Sequence, residues 1–216
     1  MDKLPFKENI KRYYNEEAEL RNGKSVKPNW KINARLDFCD LIKRENKKTL
    51  LEIGAGTGYD SGFFMDSGLT VTAVDISSEM VKKCREKSVE AYEMDFYNLS
   101  SLNRKFDCVY AINTLLHVPQ NDLRHVLGEI DAVLDSGGLF YMGVYGGEDV
   151  EREYVKSEVS DAPRLFSFYS EKSLKSALES FFQIISFESV DIETDDGRDV
   201  FHSITLRKDA QKNKQE

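Results

Sequence analysis

The chain has 216 residues, of which 40% are hydrophobic and 31% charged, with a formal net charge of −8. That length suits one α/β domain with a full core, and no apolar run approaches the ~18 residues that a helical membrane span needs. Charge is uneven: residues 1–48 carry 13 lysines and arginines against 8 acids, so the remainder is acidic and ill suited to broad contact with a phosphate backbone.

Taken in order, the opening Met1-Asp2-Lys3-Leu4-Pro5 has no apolar signal region. Residues 1–29 are polar, basic and weakly periodic, which reads as a solvated helical arm; attraction of an anionic substrate or RNA is the sharper alternative. Pro28 breaks the chain before Trp30. Ile32, Leu36, Cys39 and Ile42 then recur at helical spacing, predicting a helix over 32–43. Leu50 to Ile53 is an apolar run that reads as a buried strand. It runs into Gly54, Gly56 and Gly58, and a helix is expected over 59–66. A strand over 70–75 precedes a helix capped by Ser77 or Ser78. A short strand over 91–94 stops at Asp95, and another spans 106–112. A helix over 122–134 leads through Gly137-Gly138 into a strand over 139–144. Strands alternating with helices imply parallel pairing, with the sheet covered on both faces.

The alternation breaks at 145–168, an acidic and aromatic stretch that reads as a long loop over the site. Ser170 caps a further helix. Strands near 182–192 and 200–206 flank Asp195-Asp196-Gly197-Arg198, a hairpin signal. Residues 208–216 read as a disordered tail. Cys39, Cys84 and Cys108 are scattered without a C-x-x-C pair, which suggests free thiols and a reducing, cytoplasmic setting. His125 and His202 lack ligand-spaced partners, so no metal site is expected.

The most informative stretch is Leu50-Leu51-Glu52-Ile53-Gly54-Ala55-Gly56-Thr57-Gly58. Glycines let backbone bend at positive φ and let a ligand lie on it, and the helix behind offers free N–H groups. A dinucleotide fingerprint starting at Gly54 would need a third glycine where Tyr59 stands. With Thr70–Ser77, Met94-Asp95-Phe96, Asn113–Pro119 and Leu134–Leu139 following in order, the chain resembles the small, single-domain class I S-adenosylmethionine-dependent methyltransferases over roughly 49–207.

The resemblance implies a Rossmann-like, doubly wound, seven-stranded sheet, mostly parallel with an antiparallel C-terminal strand. It implies an N-terminal helical arm and lid over 1–48, a methyltransferase domain over 49–207 and a lid insertion over 145–168. S-adenosyl-L-methionine would be held by Tyr14, Glu52, Gly54, Ala55, Gly56, Thr57, Gly58, Asp75, Ile76, Met80, Asp95, Phe96, Asn113 and His117. Asp75 would take the ribose diol, Asp95 the adenine amino group with Phe96 beside it, and Glu52 the methionine ammonium. Arg35 matches an arginine that in some relatives reaches the methionine carboxylate, with a surface ion pair as the simpler reading.

His117 is the candidate general base, with a purely structural strand exit as the other reading. Tyr145, Phe166 and Tyr169 are candidates for the acceptor pocket. The expected activity is methylation of a small molecule by a monomer or weak dimer, without membrane or nucleic-acid partners. Methylation of RNA or protein, or a non-catalytic cofactor-binding regulator, are the alternatives.

Overall fold

The computed structural model describes residues 4–23, 28–155, 158–194 and 197–209. Two helices come first, α1 (Leu4–Gly23) and α2 (Asn29–Arg44). The α/β core follows as β1 (Thr49–Ile53), α3 (Tyr59–Asp66), β2 (Thr70–Asp75), α4 (Ser78–Glu86), β3 (Glu90–Glu93), β4 (Phe106–Ile112), α5 (Leu123–Val133) and β5 (Leu134–Gly146). The chain ends through β6 (Val150–Tyr154), β7 (Arg164–Phe168), α6 (Glu171–Leu178), β8 (Phe182–Thr194) and β9 (Gly197–Lys208).

Seven strands form one sheet in the order β3-β2-β1-β4-β5-β9-β8. The first five pair in parallel, and β9 runs antiparallel to both β5 and β8. The sheet is therefore Rossmann-like and doubly wound, with one reversed strand. Strand order reverses between β1 and β4, and ligands of such sheets bind beyond the carboxyl ends at that switch point.

Alternation of side chains along each strand builds two cores. Leu51, Val109 and Phe140 face one side with Ile130 of α5 and Leu174 of α6. Leu50, Cys108 and Tyr110 face the other with Phe38 of α2, Phe64 of α3 and Val81 of α4. Phe64 is fully buried with its ring edge-on to Tyr110, centroids 5.0 Å apart; burying such a side chain contributes about 1.5–3 kcal/mol. Cys39, Cys84 and Cys108 are buried and unbridged. Ser77 and Ser170 cap α4 and α6, accepting from the N–H of Met80 and of Ser173.

Four expectations need correction. Leu36 is not on the buried stripe of α2: it is 43% exposed, and Arg35, Phe38, Cys39 and Ile42 face inward. The stretch 145–168 is not a loop. β5 runs on to Gly146, and β6 and β7 pair as a separate antiparallel ribbon. Lys208 belongs to β9, where Nζ donates to the carbonyls of Asp131 and Leu134; the rest of the expected tail from 210 lies outside the described residues. Tyr169 is not a pocket residue. It is 3% exposed, sits in the core and donates its hydroxyl to the Val118 carbonyl. Of the hairpin signal, Asp195 and Asp196 lie outside the described residues, while Thr194 pairs with Gly197.

Candidate functional site

The glycine loop leaves β1 and enters α3 with φ of +69° at Gly54, +55° at Gly56 and +76° at Gly58. Each glycine has a different reason to lack a side chain. A Cβ on Gly54 would meet Thr114 Oγ1 at 2.2 Å, and one on Gly58 would meet Cys84 Sγ at 3.1 Å. A Cβ on Gly56 would meet nothing within 4 Å. Gly54 and Gly58 thus make room for the protein, and Gly56 leaves open space above the loop.

Asp75, at the end of β2, ties this loop down. Its Oδ2 accepts from the Gly56 N–H at 2.8 Å and its Oδ1 from the Ser77 N–H at 2.9 Å. Burial pushes its carboxyl above the ordinary range, against the pull of those two N–H groups. Each oxygen keeps a lone pair for a further donor.

Glu52 lies at the floor, 2% exposed, accepting from the Ser61 hydroxyl. Burial, then the neighbouring Asp60, holds its carboxyl well above the usual range. Arg35 is no surface ion pair. It is 7% exposed, its Nη1 donates to Asp60 Oδ1 at 2.6 Å, and its Nε is buried without a partner. Asn113, at the exit of β4, stands at φ +54° with Oδ1 buried and unpartnered.

These groups surround one cleft of about 220 Å³. It is lined by Tyr14, Glu52, Gly54, Ala55, Gly56, Thr57, Asp75, Ile76, Met80, Asp95, Phe96, Asn113 and His117. Gly58 is not on its wall, nor are Tyr145, Phe166 and Tyr169. Phe166 lies one ring behind, edge-on to His117 at 5.1 Å, and Tyr145 packs on Phe166 and Phe168. Ile10, Arg21, Lys31, Ile32, Tyr59, Asp60 and Thr114 also line it and were not singled out from sequence. Asp60 was within reach of sequence reasoning, since it sits in the first turn after the glycine loop.

α1 closes the cleft from above. Lys7 Nζ donates to Asp95 Oδ2 at 2.6 Å, beside the Tyr97 N–H that Asp95 Oδ1 accepts at 2.9 Å. Asn15 Oδ1 accepts from the Ser77 hydroxyl at 2.7 Å. Tyr14 Oη lies 2.6 Å from His117 Nε2. His117 Nδ1 lies 2.7 Å from the Leu165 carbonyl of β7. A carbonyl can only accept, so the proton is on Nδ1 and Nε2 accepts from the Tyr14 hydroxyl. Burial pulls the imidazole down to about 3, against the Leu165 hydrogen bond, with Arg164 and Arg21 pushing the same way as burial. This corrects the expected general base. With Nδ1 protonated and the Nε2 lone pair taken by the Tyr14 hydroxyl, the ring has no lone pair open to a substrate proton in this arrangement. Among the described residues no group of three His, Cys, Asp or Glu is placed to hold a metal ion.

A family profile described as "Methyltransferase domain" matches residues 50–138, the span from β1 to the turn inside β5. Over that span the chain matches the methyltransferase-domain family, and its sheet has the fold of the class I S-adenosylmethionine-dependent methyltransferases. It is 32% identical over 127 residues to a malonyl-[acyl-carrier protein] O-methyltransferase of Hamiltonella defensa, covering 57% of this chain and 48% of that one. It is 26% identical over 121 residues to the glycine N-methyltransferase of Oryctolagus cuniculus, covering 46% and 41%. The chain spans about half the length of these curated relatives. In fold it is similar to the DhpI complex with S-adenosylhomocysteine, with a TM-score of 0.72, 22% identity, and 96% and 98% of the two chains covered. It is also similar to the Burkholderia thailandensis 1,6-didemethyltoxoflavin-N1-methyltransferase, with a TM-score of 0.67, 20% identity and 94% and 87% covered.

The residues present fit the family's cofactor, S-adenosyl-L-methionine. The space over Gly56 admits a ligand against backbone. The unpartnered Arg35 Nε suits a carboxylate, the Glu52 carboxylate an ammonium, and the spare lone pairs of Asp75 a diol.

The buried acid makes a pH prediction. Folding raises Glu52 above its ordinary 4.5, so in that window the folded state holds more protons than the unfolded one. Stability of the ligand-free protein therefore falls as pH rises from about 4.5 through the raised value. An ammonium beside Glu52 favours the ionised form, so cofactor affinity rises with pH over the same window. Calorimetry with S-adenosylhomocysteine in buffers of differing ionisation enthalpy should show proton release on binding, absent in Glu52→Gln. Equal proton release in that variant would take Glu52 out of the account.

Proposed function

We propose that the chain transfers the methyl group of S-adenosyl-L-methionine to a small-molecule acceptor. One observation carries the size of the acceptor: α1 is seated over the cleft through Lys7–Asp95, Tyr14–His117 and Asn15–Ser77. The covered cleft suits a small acceptor better than a macromolecular surface. The cofactor, when bound, supplies a methyl group already activated on a sulfonium. The protein's part is then positioning and exclusion of water. Asp75, with the loop N–H of Gly56 fixed on it, orients the ribose. Glu52 and Arg35 hold the amino-acid end. The Tyr14 hydroxyl, its proton directed to His117, presents only lone pairs to the cleft, where it can orient an acceptor O–H or N–H. The acidic body of the chain also disfavours nucleic acid.

The test is release of S-adenosylhomocysteine by the purified protein across a panel of small oxygen, nitrogen and carbon acceptors. Turnover of any of them supports the reading. Turnover only with RNA or protein would replace it, and cofactor binding without release on any acceptor would favour a regulatory module.

The N-terminal arm and residues 145–168 were expected to act as lids. Among the described residues Lys7 and Lys11 of the arm meet Asp95 and Glu93, while Arg12 meets Asp161 of the 145–168 stretch. We assign gating to α1, held by a few polar contacts. Amide exchange in residues 4–23 should slow on adding S-adenosylhomocysteine, while β1, β4 and β5 change little. Unchanged exchange in α1 would count against its gating role.

A further inference from the structure

Four cationic side chains are buried among the described residues: Arg35, Lys83, Arg164 and Lys208. Three of them meet a carboxylate: Arg35 meets Asp60 at 2.6 Å, Lys83 meets Glu19 at 2.7 Å and Lys208 meets Asp131 at 3.1 Å. Arg164 is the exception. It is 9% exposed, its Nε is buried with no hydrogen-bond partner, and no ion pair to it occurs among the described residues.

Its guanidinium carbon lies 3.9 Å from the centroid of the Tyr13 ring and 4.9 Å from that of Phe166. Cation–π contacts of this kind stabilise a desolvated cation. Removing a cation from water costs more than two rings return, so the missing element is an anion. Arg164 lies one layer behind the cleft wall formed by Tyr14 and His117. The carbonyl of its neighbour Leu165 fixes His117. The Tyr13 ring packs edge-on to Tyr14, the cleft wall, at 5.3 Å.

We propose that the acceptor is a small molecule bearing an oxyanion, a carboxylate or a phosphonate, received by Arg164 behind the Tyr14–His117 pair. The proposal rests on the methyl-transfer reading above. A planar guanidinium matches either oxyanion with paired N–H donors. The rings of Tyr13 and Phe166 pack on the guanidinium and hold it in place.

The test titrates the protein with S-adenosylhomocysteine first. It then titrates the saturated protein with four probes that share a phenyl ring: benzoate, phenylphosphonate, benzamide and benzylamine. Benzoate or phenylphosphonate should bind at least ten-fold tighter than benzamide, and the stronger of the two names the oxyanion. Benzylamine should not bind. Arg164→Gln should erase the preference, Arg164→Lys should keep part of it, and both should bind S-adenosylhomocysteine as the parent does. If Arg164→Gln does not fold, retention of the preference by Arg164→Lys with weaker binding carries the same information. Equal binding of benzamide and the oxyanions, no binding of any probe, or a preference untouched in either variant overturns the proposal alone. Failure in the first titration overturns the methyl-transfer reading and this one with it.

Discussion

Gly56→Val keeps the sheet and abolishes cofactor binding. The backbone at Gly56 has φ +55°, a region that disfavours L-residues by about 1–2 kcal/mol and β-branched ones more. Stability should fall by about that amount and no further, because a Cβ there meets no protein atom within 4 Å. The valine methyl groups instead fill the space above the loop, and the S-adenosylhomocysteine dissociation constant should rise by at least ~100-fold, about 2.7 kcal/mol. Gly54→Ala is the informative contrast. Its Cβ would sit 2.5 Å from Thr114 Cβ as well as 2.2 Å from Oγ1, and Thr114 is buried. That change should lower stability by about 3 kcal/mol through overpacking. Calorimetry and thermal melts of the two variants separate the roles. Tight binding by folded Gly56→Val would mean that the ligand does not lie over this loop.

The alternating core was legible because its burial obeys simple periods. Leu50 and Leu51 fall into opposite cores as a period of two requires, and α5 buries Leu123, Val126, Leu127, Ile130 and Val133 at helical spacing. The loop and Asp75 were legible because glycines at positive φ and a strand-end acid are local features. What failed depended on distant partners. Arg35 turns inward because Asp60 waits 25 residues on, and no window around α2 contains that acid. α1 looked merely solvated because its contacts to the core are polar: Lys7, Lys11 and Asn15 reach residues 60 or more positions away. The β6–β7 ribbon hid in a charged sequence, Glu151-Arg152-Glu153, whose partners Ser167, Phe166 and Leu165 lie outside any local window. Tyr169 shows the limit of reading aromatics. A ring that lines a pocket and one that fills a core have the same sequence, and only its hydroxyl's partner, the Val118 carbonyl, tells them apart.

Asp75→Ala should weaken S-adenosylhomocysteine by about 3 kcal/mol, two hydrogen bonds to a charged group at about 1.5 kcal/mol each. That is roughly a 150-fold rise in the dissociation constant. The change also acts through the protein. The N–H groups of Gly56 and Ser77 lose their acceptor, and Ser77 is fully buried, so an unmet donor there costs about 1–3 kcal/mol of stability. Part of that loss is offset, because Asp75 itself is held above its ordinary range by burial and its removal relieves a desolvated charge. A net stability loss of about 1 kcal/mol is expected, with the sheet intact. Asp75→Asn divides the two effects: it keeps one carbonyl oxygen for an N–H donor but turns an amide NH₂ toward the other. It should therefore bind cofactor nearly as poorly as Asp75→Ala while altering the loop less. Isothermal titration of both variants beside their melting curves is the measurement. A folded Asp75→Ala with the parent's dissociation constant would remove Asp75 from the ribose role and leave it only as the brace of the glycine loop.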